Sequence, residues 1–188
     1  MIYVQLSRFV HAGLEYKSWN TVQTTQLALE SALPRVWMAT AVDLPTDDPI
    51  HVGTEGLKTL GKRMAVLAET GVYGGKAGIG PRFASIARAA TPFGATIRVT
   101  FTSPNGPLQA KGFVSGFSVS KGADGEDVPS IYKQEIAADD PNTVVLWANE
   151  LPETPHLWYG RGLAPVCTLN DAADMGVPVF GPIEIPAQ

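Results

Sequence analysis

The sequence predicts an α/β segment of parallel strands and helices, followed by an antiparallel β-sandwich-like module. Three observations carry that division. Residues 1–74 alternate two short apolar runs with two stretches of helical period. Residues 75–188 show only short alternating runs separated by turn residues. The change falls at Gly74-Gly75-Lys76-Ala77-Gly78-Ile79-Gly80-Pro81, a turn-rich linker. Strands alternating with helices of this length form βαβ units and a parallel sheet, whereas short strands punctuated by Gly and Pro form sandwiches.

Each element has its own signal. Residues 2–7, opening with Ile2-Tyr3-Val4-Gln5-Leu6, are β-rich and read as a buried strand. A polar, aromatic loop follows through Arg8, Phe9, His11 and Tyr16. Trp19, Val22, Gln26, Leu29 and Leu33 then recur at intervals of three and four, the helical period, with Ser18 as the expected N-cap and Pro34 as the stop. Val36 to Val42 is a continuous apolar run, suited to a strand covered on both faces, and Trp37 within it is expected in the core. After a loop from Asp43 to Gly53, Thr54 is the expected cap of a second helix. Leu57, Leu60, Met64, Leu67 and Ala68 form its apolar stripe, and Gly71 is expected to close it. Beyond the linker the expected strands are 96–101, 112–120, 131–137, 143–148 and 156–160. Pro104-Asn105-Gly106 and Ala123-Asp124-Gly125 are turns between them.

Composition narrows the function classes. The chain has 188 residues, of which 45% are hydrophobic and 17% charged, enough apolar material for a core. Its 14 Lys+Arg against 18 Asp+Glu give a net charge of -4, so no nucleic-acid partner is expected, because phosphate binding needs clustered cations. No apolar run approaches the roughly 18 residues of a membrane span. The single cysteine, Cys167, excludes an internal disulfide and a multi-cysteine zinc site, and without a basic neighbour it reads as an inert thiol. The N-terminus lacks the basic start, apolar stretch and small-residue cleavage site of a secretory signal. Localisation stays open between an intracellular protein and a longer precursor cut upstream.

The chemistry concentrates in Asp43-Leu44-Pro45-Thr46-Asp47-Asp48-Pro49-Ile50-His51, which follows a buried strand and so emerges at the carboxyl end of a parallel sheet. Asp48 stands three residues ahead of His51. In such a turn the carboxylate can accept the imidazole Nδ1 proton and fix the tautomer, which frees Nε2 to act as a general base towards a hydroxyl. Taken alone, the four-residue pattern also fits a solvated turn with an incidental histidine. Asp43, Asp47, Asp48 and His51 are also a conceivable divalent-cation set. Oxygen-rich sites draw on more dispersed ligands and Pro49 stiffens the loop, so no metal is expected, and no other cofactor. His11 reads as a solvated loop residue that can alternatively line a cleft, and His156 as structural. Trp147 and Trp158 are sugar-stacking candidates only on the outward faces of their strands. The linker from Gly74 to Gly80 has no strand before it and no helix after it, so it is not a phosphate loop.

The stretch Met38-Ala39-Thr40-Ala41-Val42-Asp43-Leu44, with Ile50-His51, Leu57-Lys58-Thr59-Leu60-Gly61-Lys62-Arg63-Met64-Ala65 and Tyr73-Gly74, resembles sialate O-acetylesterases and related carbohydrate acetylesterases of the SGNH hydrolase superfamily. Upstream, Val4-Gln5-Leu6, Phe9, Trp19, Val22-Gln23 and Gln26 extend the likeness. Downstream, Gly80-Pro81-Arg82-Phe83, Gly116-Phe117, Trp158-Tyr159-Gly160 and Cys167-Thr168-Leu169-Asn170 do the same. The resemblance implies that residues 1–74 are the second half of a flavodoxin-like SGNH α/β domain, and residues 75–188 a β-rich accessory domain. It implies His51 as catalytic base, Asp48 as its orienting acid and Asp43 as a structural, loop-bracing carboxylate. The implied activity is carboxylic ester hydrolysis through a Ser-His-Asp acyl-enzyme, and the implied partner an acetylated carbohydrate or small ester. Members are often secreted or periplasmic.

The chain departs from the family at Val52, where Pro usually follows the histidine, and at Gln23, where Arg is common. A larger departure is the absence of any Gly-Asp-Ser, Gly-Gln-Ser or Gly-x-Ser-x-Gly block, and with it of the usual nucleophile and oxyanion donors. Three explanations stand: a piece of a longer esterase, a separate chain that brings the serine, or a substitute nucleophile. Ser7, at the end of the first strand, is the best substitute, beside the bland reading of a serine that caps a strand. An alternative function is a non-catalytic half-domain or subunit that binds carbohydrate or a partner chain. Under either function, the bare sheet edge near residues 2–7 predicts a homo-oligomer or a complementing chain.

Overall fold

A computed structural model describes residues 1–13 and 15–187. Strand β1 (Ile2–Val4), helix α1 (Lys17–Ala32), strand β2 (Trp37–Ala39) and helix α2 (Thr54–Tyr73) follow one another in the order that periodicity implies. β1 and β2 pair in parallel, with Tyr3 beside Met38, and α1 makes the crossover that parallel pairing requires. The parallel layer among the described residues is this single ladder. Both strands are shorter than the apolar runs that announce them. Thr40, Ala41 and Val42 are buried without belonging to a ladder, since burial, and not pairing, is what an apolar run reports.

The helix ends differ from expectation in ways that have physical reasons. Ser18 lies inside α1, because the Glu15 carboxylate caps it instead, accepting from the backbone N–H groups of Lys17 at 2.7 Å and Ser18 at 3.3 Å. Thr54 is the first residue of α2 and not its cap. Its N–H donates to Asp47 Oδ2 at 3.0 Å. Gly71 does not close α2: the helix runs on to Tyr73 and stops at Gly74, which takes the left-handed conformation at φ 72°. Gly71 is a packing position, where a Cβ would run into the Trp37 indole.

From residue 82 onwards the chain forms two four-stranded antiparallel sheets. One has the order β3 (Arg82–Thr91), β4 (Gly94–Thr102), β9 (Thr143–Ala148), β8 (Ile131–Ile136). The other has the order β12 (Phe180–Glu184), β10 (Pro155–Tyr159), β6 (Phe117–Lys121), β7 (Asp127–Val128). A further short pair joins β5 (Gln109–Ala110) to β11 (Leu169–Asn170). The two large sheets face each other across Ile97, Val99, Leu146, Val119 and Leu157, and Phe101 meets Phe117 and Phe180 between them. A sandwich is thus present, but the sequence reading missed three of its strands, β3, β7 and β12, of which β7 is only two residues long. β3 is rich in Ala and Arg, and β12 carries Gly181-Pro182, so neither shows the β-branched alternation that marks a strand. In β4 that alternation is regular, with Ala95, Ile97, Val99 and Phe101 all buried.

Side chains close the parallel ladder on both edges. On β1, Gln26 donates to Val4 O at 3.1 Å and accepts from Leu6 N at 2.8 Å, while Gln23 donates to Leu6 O at 3.0 Å. On β2, Met38 N donates to Glu30 at 2.7 Å and Met38 O accepts from Arg82 at 3.2 Å. The edge at residues 2–7 from which an oligomer contact is expected is thus occupied at Val4 O and at Leu6 N and O by the α1 amides. Gln5 ties this layer to the sandwich. Its buried amide accepts from Val179 N at 2.9 Å and donates to Val179 O at 3.0 Å, as a strand neighbour would.

Candidate active site

Asp48 and His51 lie on the loop from Asp43 to Gly53, which leaves the carboxyl end of β2 and enters α2. Its base is fixed by burial and charge. Leu44 is buried, and the Asp43 side chain, 1% exposed, meets both terminal nitrogens of the equally buried Arg63 at 2.7 Å. Arg63 donates further to Thr40 O at 2.7 Å and to Asp174 O at 2.6 Å. Burial works against the Arg63 charge, but its bonds to Asp43 outweigh that cost and hold its pKa above the ordinary value. Lys111 closes the network, 3.3 Å from Asp43 and 2.9 Å from Asp174. Asp43 is thus a loop brace, as the resemblance implies. Arg63, Lys111 and Asp174 escaped the sequence reading. Arg63 was findable, because it interrupts the apolar side of α2 between Leu60 and Leu67, where an unpaired charge would be costly.

The far side of the loop is a small ladder of its own. Thr46 bridges Val52, Asp47 N donates to His51 O at 3.2 Å, and Gly53 N donates to Pro45 O at 2.8 Å. Gly53 carries no side chain because a Cβ would collide with the Asp47 carboxylate as it caps α2. Asp48 turns the other way. Its Oδ1 accepts from Ile50 N at 2.8 Å and His51 N at 2.7 Å, and its Oδ2 lies 2.7 Å from His51 Nδ1. These bonds, the His51 backbone N–H first, hold the Asp48 pKa at about 2. An ionised carboxylate only accepts, so the proton between the two side chains sits on Nδ1, and whenever the ring is neutral that leaves Nε2 bare. The imidazole is 79% exposed and open to an incoming group. The three carboxylates that sequence grouped as a cation set serve three separate contacts: Asp43 with Arg63, Asp47 at the helix cap, and Asp48 with His51.

Ser7 follows β1 at the same end of the ladder. Its hydroxyl donates to Ala41 O at 3.0 Å, and its carbonyl accepts from Trp19 Nε1 at 2.9 Å. The imidazole's own bond is to Asp48, so the described residues do not join Ser7 to His51 through a hydrogen bond. The chain after Ser7 crosses the His51 loop, with Val10 N donating to Pro49 O at 2.7 Å and Phe9 N to Leu163 O at 2.6 Å. The Phe9 ring packs between Trp19 and His11, with centroids 5.5 and 5.3 Å away. His11 thus stands exposed beside the loop, whereas His156 Nδ1 contacts Thr154 O at 3.1 Å within the sandwich. Trp158 is buried beneath Arg161, and Lys133 lies 4.2 Å over the ring of Trp147. Cys167 is buried, and that burial, with Asp43 next, pushes its thiol well up, so it is not a nucleophile at neutral pH.

No protein-family model matches this chain, and no curated protein matches it. Among solved structures it is similar in fold to a crystal structure described as a novel carbohydrate acetylesterase from Xanthomonas citri, with a TM-score of 0.73 and 22% identity. The likeness covers 95% of this chain and 40% of that one, so this chain spans less than half the length of its structural neighbour.

Proposed function

We propose that residues 1–74 belong to an SGNH-type α/β domain and carry the acid–base limb of a carboxylic ester hydrolase that removes acetyl groups from carbohydrate. Residues 75–188 form its accessory β domain. The observation that carries this reading is the Asp48–His51 pair: an ionised carboxylate 2.7 Å from Nδ1, on an exposed loop at the carboxyl end of the parallel ladder, with Nε2 left bare. In this mechanism Nε2 takes the proton of a serine hydroxyl as that oxygen attacks the acetyl carbonyl. The imidazolium, steadied by Asp48, then protonates the departing sugar oxygen. Water, deprotonated by the same Nε2, releases acetate from the acyl-enzyme. The substrate class rests on the resemblance and on the description of the structural neighbour.

The nucleophile is either Ser7, after its hydroxyl turns from Ala41 O, or a serine supplied by further polypeptide. The engaged Ser7 hydroxyl also favours a second reading, a non-catalytic half-domain or subunit that binds carbohydrate or a partner chain. Hydrolysis of p-nitrophenyl acetate by the purified chain separates these. A turnover that falls about 100-fold or more in His51→Ala supports the base assignment. An equal fall in Ser7→Ala assigns the nucleophile. Wild-type turnover no higher than that of His51→Ala refutes the stand-alone enzyme.

A further inference from the structure

We propose that the exposed apolar face of α2 is an interface between two copies of this chain. A helix on a protein surface needs an apolar arc of about 100° to cover the core beneath it. In α2 that duty falls to Leu60, Arg63, Leu67 and Gly71, which face the ladder or its brace. At 100° per residue, Leu57, Ala68, Gly61, Val72 and Ala65 continue that side beyond Met64, which itself packs against the core. The arc is apolar from Leu57 onwards, Thr54 at the helix start being its one polar residue. Leu57 is 55% and Val72 51% exposed, and Gly61 and Ala65 are exposed with them. Gly61 is the informative residue. A mid-helix glycine weakens a helix relative to alanine, and a Cβ at Gly61 would meet nothing within 4 Å. Its own chain gives no reason for it, whereas a second helix packed at close range does.

The occupant is a second copy because the face is complementary to itself. Two antiparallel α2 helices related by a two-fold axis between Met64 and Ala65 set Leu57 of one against Val72 of the other, and Gly61 against Ala68. The polar flank then matches too. Glu69 of one copy falls at the level of residue 60 of the other, one half-turn from Lys62 and from Lys58, whose ammonium also meets Glu55 of its own chain at 2.6 Å. Each copy's carboxylate thus faces the basic side of the other.

Sedimentation velocity on the full chain, from low to high micromolar concentration, tests this. The expected species has twice the 20.0 kDa chain mass, and Ala65→Arg, at an exposed position, returns it to the monomer with an unchanged circular dichroism spectrum. The double variant Lys58→Glu, Lys62→Glu and the single variant Glu69→Lys are each expected to lose the dimer, and their equimolar mixture to regain it. A wild-type chain that stays monomeric throughout overturns the proposal. So does a dimer that survives Ala65→Arg, or a charge-reversed mixture that does not recover.

Discussion

Replacing Arg63 by methionine keeps a long apolar stem among Leu60, Leu67 and the ladder but removes the guanidinium N–H groups that meet Asp43, Thr40 O and Asp174 O at the base of the His51 loop. Asp43 would be left 1% exposed with only Lys111, 3.3 Å away, as a charged neighbour. Thr40 O and Asp174 O would lose their Arg63 donors as well. Breaking a buried pair from one side costs about 3–5 kcal/mol, because the remaining charge stays desolvated without its partner. The lost carbonyl contacts overlap with that penalty and are not added to it. Against a total stability of about 5–15 kcal/mol, this is a large fraction. Urea unfolding followed by circular dichroism is the assay. With a slope of about 2 kcal/mol/M, the midpoint should fall by roughly 2 M while the slope stays constant. The double variant Arg63→Met, Asp43→Leu buries no charge and should regain most of the loss. A single variant that loses less than about 1 kcal/mol, or a double variant less stable than the single, would refute the view that this ion pair braces the loop.

Two further outcomes follow from geometry elsewhere. Gly94 sits at φ 128°, where a Cβ would strike the carbonyl oxygens of Ala148 and Asn149, so Gly94→Ala should destabilise the sandwich by about 1–3 kcal/mol or more. A thermal melt within a degree of wild type would contradict that placement of the β3–β4 turn. The Asp48 carboxyl has a folded pKa of about 2, below its value of about 3.9 in an unfolded chain. Its contribution to stability is therefore fully present above about pH 4 and disappears as pH falls through 2. The His51 amide proton, bonded to Asp48 Oδ1, should show an NMR shift change with a midpoint near 2. A midpoint near 4 would mean that the turn does not hold the carboxylate.

What the sequence revealed and what it hid divide along the range of the interactions. The Asp48–His51 contact spans three residues within one turn, so spacing alone could place it. The helices announced themselves because Trp19 to Leu33 and Leu57 to Ala68 repeat at a period that only a helix satisfies. Helix ends were misplaced where the capping group came from outside the expected position, from Glu15 for α1 and Asp47 for α2. β3 stayed invisible because its pairing with β4 supplies what its Ala-rich composition does not. The Asp43–Arg63 brace was hidden by a separation of twenty residues, and the direction of the Ser7 hydroxyl by its dependence on Ala41, across the ladder. The capping of the ladder edges by Gln26, Gln23, Glu30 and Arg82 belongs to the same class: polar side chains whose partners tertiary structure alone defines.

The account turns on a neutral His51 whose Nδ1 proton is committed to Asp48 and whose Nε2 is bare. Nitrogen-15 NMR of the His51 ring at alkaline pH reads this directly. The predicted spectrum shows a protonated Nδ1 and an unprotonated Nε2, with Asp48→Ala reverting to the Nε2-protonated tautomer that free histidine prefers. A wild-type ring already protonated on Nε2 would contradict the assignment of His51 as a base oriented by Asp48.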